Sequence, residues 1–171
     1  MSSRDGINFD RSFIEAFVRP GPDKNNWHER AIYMERGIHQ TSPTEISLYG
    51  MEGLRTQSVN VRRYTVRTDG FVSVNAGASG GEFTTHPMTF TGGSLELNFS
   101  TSAVGSVRVE IQDANGTPLP KFAMADCPDH FGDDIEGGVS WHGGGDLSGL
   151  AGNPVRLRFA LKDADLYAFR F

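Results

Sequence analysis

Two tryptophans, Trp27 and Trp141, are the side chains of this sequence best suited to recognising a sugar. Binding a glycan takes an aromatic face for stacking and neighbouring side chains that hydrogen-bond its hydroxyls. Trp27 stands in Asp23-Lys24-Asn25-Asn26-Trp27-His28-Glu29-Arg30, where every neighbour can hydrogen-bond, and Asn25, His28 and Arg30 are the partners expected beside it. Trp141 precedes His142, three glycines and Asp146; the glycines leave one side of the ring uncovered, with His142 and Asp146 as the polar groups at hand. Each ring has a competing reading. Trp27 could pack against an adjacent sheet, and Trp141 could be core, where sandwich tryptophans usually sit.

Hydrolytic chemistry finds less support. Glycoside hydrolysis needs two carboxyl groups facing one bond, ~5–5.5 Å apart for retention and ~6.5–9.5 Å for inversion. The best local pair, Asp10 and Glu15, would be separated by roughly 16 Å on an extended strand and would point to opposite faces, so they read as structural charges, with Glu15–Arg19 one available pairing. Gly77-Ala78-Ser79-Gly80-Gly81 matches the nucleophile-elbow pattern, which requires a strand before the serine and a helix after it. The residues that follow are strand-like and broken by Pro87, so the stretch reads as a flexible loop. Cys127-Pro128-Asp129-His130 and His142 include zinc-ligand types, but a structural site wants several soft ligands and the chain has one cysteine. Asp126, Asp129, Asp133, Asp134 and Glu136 form an acidic stretch of hard-cation type without EF-hand spacing.

The elements that must position these residues are strands. No window of twelve residues holds a 3.6-residue apolar period free of glycine or proline, whereas two-residue alternation recurs throughout. The pattern predicts strands at 8–18, 31–34, 45–49 and 59–66. After the turn Arg67-Thr68-Asp69-Gly70 it predicts more at 71–75, 82–90, 94–100, 106–113, 135–141, 155–161 and 166–171. Leu95/Leu97/Phe99, Val107/Val109/Ile111 and Val155/Leu157/Phe159/Leu161 alternate with polar partners, giving one buried and one wet face; Phe99, Phe159 and Phe169 are expected core. Asp163 and Asp165 are expected to shape the last hairpin, and only 122–131 could hold a helical turn. The fold class is therefore all-β: an antiparallel, jelly-roll-like β-sandwich over 67–171, preceded at 1–66 by a four-stranded, blade-like sheet. A lone blade leaves edges and faces unmatched, so 1–66 reads as leaning on more protein, although its strands could equally extend the sandwich.

Composition bounds the partners. Of 171 residues 21 are glycine, which signals many turns, and 16 basic against 21 acidic residues leave a charge of −5, without the basic footprint nucleic acid demands. No apolar run approaches a membrane span, and the Met1–Gly6 start has no signal-peptide character. The expectation is a cytoplasmic protein if the chain is complete, or else an excerpt of a longer exported one.

RRYTVRTDGFVSVNAG, GGSLELNFSTSAVGSVRVEIQDANGTPLP and WHGGGDLSGLAGNPVRLRFALKDADLYAFRF resemble the C-terminal β-sandwich of bacterial glycosidase-like proteins of the invertase superfamily (glycoside hydrolase family 32-like). GINFDRSFIEAFVRPGPDKNNWHERAIYMERGIHQTSPTEISLY looks like the close of the five-bladed propeller that precedes that sandwich. The resemblance implies carbohydrate processing by the full-length relatives and no active site here, because neither Asn-Asp-Pro nor Arg-Asp-Pro occurs in the sequence. No cofactor is expected, with a structural calcium ion at the acidic stretch an analogy from carbohydrate-associated sandwiches. Three readings stay open: a non-catalytic C-terminal portion that braces a propeller and contacts carbohydrate; a hydrolase completed by self-association or by a separately encoded propeller; and a structural or protein-interaction sandwich.

Overall fold

The computed structural model describes residues 3, 5–12 and 14–171. It is an all-β, sandwich-like fold with two antiparallel sheets. The chain divides into two compact units, Met1–Val66 and Arg67–Phe171.

The first unit is built on a four-stranded sheet of β1 (Tyr33–Met34), β2 (His39–Ser42), β3 (Glu45–Glu52) and β4 (Asn60–Arg67), with β3 pairing all three others. β1 meets β3 at Met51 and Gly50 and β2 meets it at Ser47 and Ile46, so the two short strands are pieces of one arm interrupted between them. Gly37, with φ +120, allows the interruption: a Cβ there would lie 2.9 Å from the His39 ring.

The strand expected at 8–18 does not form among the described residues; Phe13, within that run, lies outside them. The alternation is present, but the Asn8 and Ser12 amides of the run are bonded by nearby carboxylates. Asp5 Oδ1 accepts from the Ile7 and Asn8 amides, Asp10 Oδ1 from the Ser12 amide and hydroxyl, and Arg19 pairs with Glu15 four residues before it. Such side-chain turns compete with a ladder for the same donors.

Polar contacts hold much of this unit. The Thr41 and Ser47 hydroxyls share a 2.8 Å hydrogen bond, Arg63 Nε donates to Ser47 Oγ at 2.8 Å, and Arg63 also pairs with Glu45. The Tyr64 hydroxyl donates to Glu52 at 2.5 Å, with Arg62 2.7 Å from the same carboxylate. Burial, then the Glu52 carboxylate, pushes the Tyr64 phenol up to about 12.

The second unit centres on two long strands, β7 (Glu96–Asp113) and β9 (Val155–Arg170), paired antiparallel almost end to end. β5 (Val74–Ala76) and β6 (Gly81–Thr84) line the other edge of β9, and β8 (Asp133–Gly138) the other edge of β7. The strands expected at 94–100 and 106–113 are therefore one, as are those at 155–161 and 166–171. Asp163 and Asp165 do not shape a hairpin. Asp163 is a left-handed residue (φ +44) inside β9, where it marks a bend.

That bend makes the sandwich. Phe159 and Phe169 are ten positions apart on one strand, ~33 Å if it were straight, yet their ring centroids lie 5.6 Å apart. β9 has folded over, so the two halves of one sheet face each other across the core. Opposite the bend the pairing of β7 slips between Thr101 and Ser106, where a bulge takes up the longer outer path. Gly105 is required there, because a Cβ would sit 2.4 Å from the Asp163 carbonyl oxygen. Leu95, just before β7, joins Leu97 and Phe99 from one half of that strand and Val107, Val109 and Ile111 from the other; Val155, Leu157, Phe159, Leu161, Ala164 and Leu166 complete the core from β9. Phe169 is partly buried against it. The 122–131 stretch holds only a 3-10 turn at Met124–Asp126.

Candidate functional site

In the first unit Asp23 opens a 3-10 turn at Lys24–Asn26, its carboxylate accepting the Asn25 amide at 2.9 Å. Asn26 is buried and anchors the loop: its Oδ1 accepts the Gly53 amide at 2.7 Å and its Nδ2 donates to the Pro20 carbonyl at 3.1 Å. The next side chain, Trp27, is 57% exposed, and its indole N–H donates to the Gly21 carbonyl at 2.9 Å. The ring is thus held in place by its edge while a face stays in solvent. Pro20, Gly21, Trp27 and Arg30 border one shallow hollow, with Arg30 in a left-handed turn (φ +54).

Of the expected partners, Arg30 shares the hollow. His28 is exposed and lies 3.8 Å from Glu29, which Arg55 holds at 3.1 Å, while Asn25 is half-buried. This arrangement can present one aromatic face and a guanidinium to a polyol, without a general acid or base on the hollow.

Trp141 does not offer a face to a ligand. It is 3% exposed, donates its indole N–H to the Val109 carbonyl at 2.9 Å and packs edge-on against Phe122. The alternation that carried it into a strand end also carried it inside, and the glycines after it serve a tight turn in which Trp141 and Gly144 exchange backbone hydrogen bonds. His142 and Asp146 stay exposed. The His142 amide donates to the Asp126 carbonyl; Asp146 Oδ1 accepts the Ser148 amide at 2.9 Å, which holds its carboxyl below the usual range.

No protein-family model, curated protein or solved structure matches the chain. The geometry therefore carries the functional reading.

The other constellations resolve into structure. Ser79 lies in the turn between β5 and β6, where Gly77 O accepts the Gly80 amide, and a strand rather than a helix follows. Cys127 is buried, its sulfur accepting the Val109 amide at 3.3 Å; burial pushes its thiol up, away from nucleophilic use. The acidic stretch is shared out: Asp133 to Arg67, Glu136 to Arg170, Asp129 to Arg108, Asp134 to the Glu136 amide. Among the described residues no three His, Cys, Asp or Glu side chains gather as a metal would need.

One polar cluster escaped the sequence reading. Arg158, outward on β9, lies between Glu82 on β6 and the buried Glu110 on β7, and Glu110 also accepts from Gln112 at 2.7 Å and the Met124 amide at 2.9 Å. The alternating charges of the two strands were visible, but that β6, β9 and β7 are neighbours was not.

Proposed function

We propose that this chain is a non-catalytic accessory portion of a glycosidase-like protein, its first unit leaning on further β-structure and its Trp27 loop contacting carbohydrate. One observation carries the reading. Among the described residues, Leu48 is the only buried hydrophobic side chain of the first unit, while large apolar side chains from Ile7 (82% exposed) and Ile14 (67%) to Ile38 (62%) and Val61 (61%) stand in solvent there. So many exposed apolar side chains beside so small an apolar core support a reading in which this unit packs against further protein. The edge-anchored, face-exposed Trp27 supports the carbohydrate half, and the resemblance of the sequence to the end of an invertase-like protein supports both.

Glycan titration with fluorescence detection tests the loop. Stacking on one ring contributes about 0.5–1.5 kcal/mol beyond area burial, so affinity is expected in the roughly millimolar to high-micromolar range. Neutral oligosaccharides should quench Trp27, and Trp27→Ala should remove the response with the fold intact. A full response in that variant, or none across a broad panel, leaves only the bracing or protein-interaction role. Turnover of aryl glycosides by the purified chain, lost on substituting one Asp or Glu, would overturn the non-catalytic reading.

A further inference from the structure

The bend that closes the second unit also opens a groove of about 630 Å³ on the outer face of its sheet, within the range of small-ligand sites. Its construction follows from register. Glu82, Ala160 and Arg108 stand side by side on β6, β9 and β7, and Lys162 faces Ser106 one step along. Ala160 is the small residue of that row and forms the floor between a carboxylate and a guanidinium. Ser79 and Asp129 complete the polar walls, and Val104, 77% exposed on the bulge, supplies an apolar rim.

The charges of the groove are unequally committed. Arg158 at its border is taken by Glu82 and Glu110, and Arg108 is 3.4 Å from Asp129. Lys162 has no ion-pair partner among the described residues. Among the described residues Lys162 is thus the uncommitted cation of the groove, beside two paired carboxylates and two serine hydroxyls. The carboxylates are paired, Glu82 with Arg158 and Asp129 with Arg108, so a dianion such as phosphate would find one uncommitted positive charge for its two negative ones. A ligand with a single negative charge and several O–H donors satisfies all of them, its carboxylate on Lys162 and its hydroxyls on Glu82 and Asp129.

We propose that this groove binds a hydroxylated carboxylate the size of one or two sugar rings, a uronic acid being the simplest. The proposal takes its ligand class from the carbohydrate reading above but uses neither tryptophan, so the two can fail separately. Galacturonate added to the ¹⁵N-labelled full chain at low salt should shift the amides of Ser106, Lys162 and Glu82 and leave Trp27 fluorescence unchanged. Lys162→Gln should weaken that binding about two- to five-fold, the range expected for one partly exposed ion pair. Ala160→Leu, which fills the floor, should abolish it, and galactose, which lacks the carboxylate, should bind about two- to five-fold more weakly. Equal responses to galactose or inorganic phosphate, an unchanged affinity in both variants, or no shift at these amides at about 50 mM galacturonate, where a millimolar site would be saturated, would overturn the proposal. Quenching of Trp27 by neutral glycans without groove shifts would leave the loop standing and remove the groove.

Discussion

The two units of this chain are sheets of similar strand number held together by different means. The second encloses a continuous apolar core in which Phe159, Leu95, Leu97, Ile111 and Leu157 are fully buried. The first buries Leu48 together with Ser47, Glu52 and Asn26 and relies on arginine, hydroxyl and carboxylate contacts. Hydrophobic burial stabilises at roughly 25 cal/mol per Å², whereas exposed ion pairs contribute ~0–1 kcal/mol each. Strand count alone is thus a poor guide to which unit stands unaided.

The sharpest way to break this comparison is at the centre of the larger core. Phe159→Ala should destabilise the second unit by about 3–5 kcal/mol, read as a lower denaturation midpoint of Trp141 fluorescence in a Trp27→Phe background. A loss under about 1 kcal/mol would mean that the core collapses around the gap and the bend is less tightly packed than described. Next in size is the difference between units. Trp27 and Trp141, the two tryptophans, report one unit each, and in urea Trp27 should change first. Limited proteolysis should leave a core beginning near residues 64–71, and hydrogen exchange at Tyr49 should be faster than at Val109. Coincident transitions and equal protection would show one integrated domain instead.

Within the first unit Asn26→Ala removes the acceptor of the buried Gly53 amide and should cost about 1–3 kcal/mol, detected at the Trp27 midpoint with the Trp141 midpoint unmoved.

The smallest effects concern pH and fall on the second unit. Burial lowers the His130 imidazole, so the folded form stays neutral while the unfolded chain takes up a proton. Stability should be level above pH ~6.5 and fall as pH drops below it; His130→Gln should flatten that slope at the Trp141 midpoint. Glu110 behaves differently. Burial pushes its carboxyl up, but Gln112, the Met124 amide and Arg158 together bring it below its ordinary value. Its stabilisation is present above the unfolded pKa of ~4.3 and is lost as pH falls through the folded one, so Glu110→Gln should remove a step that begins below pH ~5.

Much of the second unit was legible because a half-buried strand writes its environment as alternation: Val107/Val109/Ile111 and Val155/Leu157/Phe159/Leu161 are core in the structure as in the sequence. What alternation does not carry is continuity. The Thr101–Ser106 stretch of β7 and Asp163 on β9 look like ends of strands, since bulges and left-handed residues use the same polar and glycine vocabulary as turns. Nor does it say whether a strand has a neighbour, which is why 8–18 carries the alternation without forming a strand among the described residues. The exposure of Trp27 agrees with its polar company in the sequence. The burial of Trp141 depended on Phe122 and Val109, far away in sequence, and the groove at Lys162 on the pairing of β6, β9 and β7.

The folded-over pairing of β7 with β9 has a consequence for how the protein is made. Its partners, such as Val107 with Leu161 and Glu96 with Arg170, are joined by a long connecting segment, so the contacts that define the second unit are among its most distant in sequence. Closing such loops is entropically costly and slow compared with local contacts. On a translating ribosome β7 would emerge with its apolar face uncovered and wait until residues 155–170 had been made. During that interval the nascent chain presents a long unpaired edge, the form in which strands are captured by chaperones or by one another.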